Sequence, residues 1–153
     1  MAETLRDFAI SRYQRAGVAE CCLRLQDDIG ADINMLLTAA WLAEREQCWS
    51  YEDVRGLVAR CKEWREQCIL PIRAVRRYLK GHPLHQQSKA LELDAELHQL
   101  QLLDEALKNI SMQSDKRVNA LRQNLFAYLD CIAPNQPTNQ LVDLRRLMDL
   151  LLV

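Results

Sequence analysis

The chain has 153 residues, of which 49% are hydrophobic and 27% charged, and a formal net charge of −1. That balance suits one globular domain; it excludes a disordered chain and gives no overall field of the kind nucleic-acid binders carry. Four glycines and four prolines are too few for the tight turns of an all-β fold, whereas Leu, Ala, Arg, Glu and Gln abound and favour helix.

The predicted elements follow in chain order. Thr4, with Asp7 three positions on, predicts the start of a first helix whose apolar side holds Leu5, Phe8, Ala9 and Tyr13, with a stop at Gly17. Val18, Cys21, Cys22, Leu25 and Ile29 recur at helical spacing up to Gly30. Asp32 then caps a third helix with Ile33, Leu36, Leu37, Ala40 and Trp41 on one side and Met35, Ala39, Leu42 and Ala43 on the others. A helix apolar on all sides belongs at the centre of a fold.

Ser50 and Asp53 form a second capping pair. The helix after them repeats Val54, Leu57, Val58, Cys61, Trp64 and Cys68, meets Pro71, and continues through Ile72, Val75 and Leu79 to Gly81. Proline removes one helical hydrogen bond, so a kink or restart is expected there. After the connector GHPLHQQS, a long helix from about Leu84 to Asn109 places Ala90, Leu93, Leu97, Leu100 and Leu107 on a seam broken by Asp104. Ser114 caps a helix with Val118, Leu121, Leu125, Tyr128, Leu129 and Ile132; APNQPTN reads as a short stiff loop; and a last helix holds Leu141, Leu144, Leu147, Met148 and Leu151. The expected architecture is all-α, a single domain over residues 1–153 built as one bundle of six or seven mostly antiparallel helices, with a kink near Pro71.

The opening segment MAETLRDFAISRYQRAG carries Glu3 and Asp7 and no continuous apolar run, unlike an export signal. Met35–Ala43, the longest apolar-rich stretch, is about half a membrane span. A cytoplasmic protein without membrane contact is expected, and the six cysteines (Cys21, Cys22, Cys48, Cys61, Cys68 and Cys131) then read as free thiols serving as small hydrophobes.

Candidate chemistry is sparse. Asp28 and Asp32 have the DxxxD spacing of a Mg²⁺–diphosphate site, with Glu92 and Glu96 as a matching pair. Gly30 between the first two breaks their shared face, and Asp32 already has a capping role. His82 and His85 lie in a polar connector without CxxC or HExxH, so solvated histidines are the simpler reading than a metal site. No glycine-rich phosphate loop and no GxSxG occur. The sequence thus predicts no catalytic residue, no metal ligand and no cofactor.

Charge is laid out more tellingly. From Val54 to His82, eight Lys or Arg face two Glu, a local net of +6, and Arg73, Arg76, Arg77 and Lys80 fall at i, i+3, i+4 and i+7 as one basic stripe, with Arg65 and Trp64 nearby. From Ala90 to Leu107 there are five acids and no Lys or Arg. Either these segments face each other across a hairpin, or the stripe is a groove for phosphate groups, RNA backbone or an acidic protein surface. Only Trp64 and Tyr78 are near enough to stack on bases, which makes nucleic acid the weaker partner. At the other end, LRRLMDLLLV presents more apolar surface than one helix face can bury, so the tail docks in its own core, in a homodimer or on a partner.

GVAECCLRLQDDIGADINMLLTAAWLA and WREQCILPIRAVRRYLKG are similar to a bacterial family of small proteins known only as a domain of unknown function. The matching elements are Leu25-Gln26-Asp27, Gly30, Asp32, Asn34, Leu36-Leu37, Trp41, Trp64-Arg65, Pro71, Arg73 and Arg76-Arg77. The resemblance implies a proteobacterial, cytosolic, helical protein and supplies no reaction. It draws attention to Gln26, Asp27, Asp32 and Asn34 as a polar cluster on which Trp64, Arg65, Arg73 and Arg77 can converge, either as a structural network or as a site for a small anion. The reading that follows is a non-enzymatic module binding a protein partner through its basic kinked helix or its C-terminal helix. The alternatives are a phosphate-ligand or RNA-backbone binder and a metal-dependent enzyme using Asp27, Asp28 and Asp32.

Overall fold

Short polar side chains and left-handed glycines set the helix ends. In a computed structural model, which describes residues 2–135 and 141–153, the Thr4 hydroxyl accepts the Asp7 N–H at 3.1 Å and starts α1 (Leu5–Tyr13), which ends ahead of Gly17. Gly17, at φ 87°, opens α2 (Val18–Ile29), and Gly30, at φ 71°, closes it by donating its N–H to the Gln26 carbonyl. Gly17 also lies so close to Leu150 that an added Cβ would stand 3.1 Å from its Cδ1, so both space and backbone conformation call for glycine there. The Asp32 carboxylate then accepts the Asn34 N–H at 3.1 Å and caps α3 (Ile33–Glu44).

The fold is all-α. Strand pairing among the described residues is a two-residue antiparallel ribbon, β1 (Gln47–Cys48) against β2 (Gln113–Ser114). The remaining helices are α4 (Tyr51–Trp64), α5 (Leu70–Tyr78), α6 (His85–Leu107), α7 (Arg117–Ile132) and α8 (Val142–Leu152). Ser50 and Asp53 cap α4 reciprocally, each side chain accepting the other's N–H at 3.0 Å. The expected APNQPTN loop falls largely on residues 136–140, outside the described residues.

The chain groups into two compact units, one of Met1–Arg55 with Ile110–Val153 and the other of Gly56–Asn109. In unit 1, α3 is buried almost throughout and packs on α1, α2 and α7, while α2 packs on α8. Leu5, Phe8, Leu36, Leu42, Leu121, Leu125 and Leu129 build an apolar core that a few polar groups cross. Asn124, fully buried, is the chief of these. Its amide oxygen accepts the Trp49 N–H at 3.0 Å, and its amide nitrogen donates to the carbonyls of Ala39 and Gln47 at 3.1 and 3.0 Å. The Trp49 indole donates to the Asn124 carbonyl at 2.8 Å. One side chain thereby ties α3, β1 and α7 together with no buried amide atom left over. The Tyr128 hydroxyl accepts the Asp32 N–H at 2.7 Å and fixes the α2–α3 turn in the same manner.

The C-terminal leucines are taken up within the chain. Leu144, Leu147 and Leu151 are buried. Arg117 donates to the carbonyls of Leu151 and Leu152 while contacting Glu44, and Arg15 donates to that of Leu150. These guanidinium groups satisfy carbonyls that the last turn of α8 cannot pair internally and lie where the helix dipole favours a cation.

Unit 2 carries the main departure from expectation. The helix does not run unbroken to Pro71: residues Arg65–Ile69 form a π-helical turn, in which Leu70 donates its N–H to the Arg65 carbonyl five residues back. Proline has no N–H and its ring crowds the carbonyl one turn earlier, so widening the turn just before Pro71 relieves both problems. A π turn absorbs one extra residue and rotates everything after it by about 100°. An unbroken helix would bury Cys68, Ile72 and Val75; instead Ile69 and Arg73 are buried and Val75 is 52% exposed. The long-helix seam is corrected too: Leu100 and Leu107 are buried as expected, but Ala90 and Leu93 are exposed, and Ser88, Ala95, Gln99 and Leu103 lie inside.

Replacing Asn124 with Ala removes the acceptor for the Trp49 N–H and a donor from two carbonyls. The expected loss is about 3 kcal/mol of stability, read from the urea unfolding midpoint; an unchanged midpoint would show that water replaces all three bonds.

Candidate functional site

The basic stripe of α5 meets the acidic segment of α6, so the hairpin alternative is the one found. Arg73, buried on the inner side of α5, donates from Nε to Glu92 Oε2 at 2.9 Å and from Nη2 to Glu96 Oε1 at 3.2 Å. Arg76 sets its Nε 2.5 Å from Glu92 Oε1, an ion contact in which the N–H is not aligned for a hydrogen bond. Glu92 thus lies between two guanidinium groups. Nearby, the Trp64 indole donates to the Ala95 carbonyl at 2.9 Å, and its ring meets His98 at a centroid distance of 4.5 Å. Arg73 and Trp64 therefore find their partners within unit 2 itself.

A buried ion pair contributes little net stability, because desolvation offsets most of the attraction, but it is costly to break from one side. What it adds is geometry. Two carboxylates one turn apart on α6, held by the fork of one guanidinium, fix both the rotation and the height of α5 against α6.

With Arg73 and Arg76 turned in beside the half-buried Ile72 and Leu79, the remaining apolar row of α5 faces water. Pro71, Ala74, Val75 and Tyr78, at i, i+3, i+4 and i+7, are all exposed, Tyr78 by 89%. On α6, Leu93 is exposed by 54%. Arg77 and Lys80 of the stripe, and Lys89 of α6, are exposed as well, and among the described residues they have no carboxylate partner. Arg65 is half-buried and engaged. The surface that results combines exposed hydrophobics with three uncompensated cations. Val75 and Leu93 were expected inside; for Val75 the sequence signal is Pro71 and the widened turn before it.

The polar cluster of the α2–α3 turn is not assembled as a site. Asp27 and Asp28 are exposed on α2 and Gln26 is half-buried, while Asp32 and Asn34 are buried on the far side of Gly30, Asp32 serving as the α3 cap. The Thr38 hydroxyl donates to the Asn34 carbonyl at 2.7 Å. No group of three or more His, Cys, Asp or Glu among the described residues is placed to hold a metal ion. The His82 Nδ1 accepts the Leu84 N–H at 3.0 Å, and the His85 Nδ1 lies 3.2 Å from the Arg76 carbonyl, so both rings serve the connector. No helix among the described residues is long and apolar enough to cross a membrane.

Residues 4–103 match the model of a family described as a protein of unknown function (DUF2390). The chain belongs to that family. The matched span holds α1 to α5 and most of α6, and so includes Arg73, Glu92, Glu96 and the whole exposed stripe; α7 and α8 lie beyond it. Neither the curated proteins nor the solved structures contain a match.

The six cysteines are free; four are buried and Cys68 and Cys131 half-buried. Burial, with the neighbouring Cys21 as a smaller cause, pushes the Cys22 thiol up from 9.0 to about 12. Such a thiol stays protonated and makes a poor nucleophile.

Two measurements follow. Arg73→Met leaves Glu92 and Glu96 short of their cation inside the hairpin and should cost about 3 kcal/mol, whereas Arg77→Met on the exposed side should stay within about 0.5 kcal/mol; equal effects on the unfolding midpoint would contradict the assignment. Because the Cys22 value is raised on folding, its contribution to stability is complete below pH 9.0 and is lost progressively as pH climbs toward 12. Cys22→Ala should flatten that alkaline decline.

Proposed function

We propose that this protein is a non-enzymatic interaction module of the cytosol that engages a protein partner through the outward side of the α5–α6 hairpin. The observation that carries this reading is the inverted packing of α5: Arg73 and Arg76 are committed inward to Glu92 and Glu96, while Val75 and Tyr78 are left in water. An exposed tyrosine next to arginine has the composition of an interface hot spot, and the apolar row around it extends the exposed patch. The C-terminal helix supports a partner role less well, since its leucines are held in the chain's own core. Free thiols throughout suit a reducing compartment.

Anion binding ranks second. Arg77 and Lys80 remain available for phosphate or RNA backbone, but the stripe has lost Arg73 and half of Arg76 to internal carboxylates.

A photo-crosslinking amino acid at position 78, in the protein expressed in its own host, should give a discrete covalent adduct that Val75→Asp abolishes. The same group at the exposed Gln123 on α7 serves as the control and should give none. If positions 75, 78 and 93 all fail to crosslink, the hairpin is not the interface.

A further inference from the structure

The side of the chain turned away from α6 runs without a break from the end of α4 through the π turn to the end of α5. Counting about 100° per residue, with the π turn absorbing one, Glu63, Glu66, Leu70, Pro71, Ala74 and Tyr78 fall opposite the inner residues Ile69, Arg73 and Arg76. All six are exposed. Arg77 stands at the edge of this face and Lys80 follows just past the end of α5, both exposed as well.

The charge of the face changes sign along its length. Glu63 and Glu66 mark one end, where Lys62 offsets one of them, and Arg77 and Lys80 mark the other, with the apolar Leu70, Pro71 and Ala74 between. Among the described residues, Glu63, Glu66, Arg77 and Lys80 have no ion partner. A nucleic acid, or a partner of one charge sign, is attracted at one end of this face and repelled at the other. A copy of the same face turned end for end is attracted at both.

The small residue sets the register. Ala74 leaves room for Leu70 of a second copy. With these two opposed, Arg77 comes level with Glu66 of the copy and Lys80 with its Glu63. The twofold axis repeats each pair. Lys62 then falls opposite Gly81, which carries no side chain.

We infer that the protein forms a weak antiparallel homodimer through this outer face, with Ala74 of each chain packed on Leu70 of the other and Arg77 paired with Glu66. This rests on the interaction-module reading and makes the protein partner a second copy of the chain. One helix face buries less surface than a permanent interface needs, so the expected Kd is on the order of 10 μM.

The test is sedimentation of the full chain at rising concentration, in which the mass should climb from one chain to two. Ala74→Arg, at an exposed position, should hold it at one chain with circular dichroism unchanged. Arg77→Glu alone and Glu66→Arg alone should each weaken association about tenfold. An equimolar mixture of these two variants should restore it, because the reversed charges then meet across the interface. The inference is overturned if the mass stays at one chain at every concentration, if a dimer forms that ignores Ala74→Arg, or if mixing restores nothing. Crosslinking at position 78 separates it from the reading on which it rests. An adduct of twice the chain's mass supports the homodimer. An adduct with a different protein overturns the homodimer and leaves the interaction module standing. An adduct that nuclease digests, or no adduct at all, removes both.

Discussion

A guanidinium group leaves water only where carboxylates meet it, and the α5–α6 hairpin is arranged around that requirement. Arg73 reaches Glu92 and Glu96 with two separate N–H groups, and Arg76 approaches Glu92 from the other side. The seam between these helices is therefore charged where an ordinary amphipathic pair would be oily. Oily seams tolerate small slips and rotations because methyl groups repack. A forked donor across two acceptors does not. The exposure of Val75 and Tyr78 follows from the same fact, since with Arg73 and Arg76 on the inner side these two positions fall outside it.

Unit 1 solves the opposite problem. Its core is apolar, and several of the polar groups that enter it meet backbone that would otherwise be stranded: Asn124 under Trp49, Tyr128 at the α2–α3 turn, and Arg15 and Arg117 at the end of α8. Each meets a backbone group at a place where a helix stops or a turn passes through the interior. The two units thus use polarity differently. In one it repairs chain ends inside an oily core; in the other it is the means of helix pairing.

Most helix ends could be read from the sequence because they depend on one or two residues acting locally. Thr4, Gly30, Asp32 and the Ser50–Asp53 pair act as their side chains or lack of one dictate. The face of α5 could not be read this way, although its position could. Period counting carries the phase of a helix forward from residue to residue, and one π turn breaks that count. After Ile69, Arg73 is buried where Ile72 is half-buried, and Arg76 is half-buried where Val75 is exposed, so arginines enter the inner side beside Ile72 and Leu79. The α6 seam failed for the matching reason: its first half answers to Arg73 and not to its own leucines. Asn124 gave no local signal at all, because its partners lie far away along the chain at Ala39, Gln47 and Trp49.

The widened turn has a genetic corollary. Since a π turn is a helix holding one residue more than its hydrogen bonding needs, the loss of a single codon anywhere from Arg65 to Ile69 would restore a regular helix. Because the π turn already absorbs that residue, Arg73 and Arg76 would keep facing Glu92 and Glu96 after the loss. Lineages that lost that codon would keep the same surface on a regular helix, and an alignment that omitted the gap would compare inward residues with outward ones.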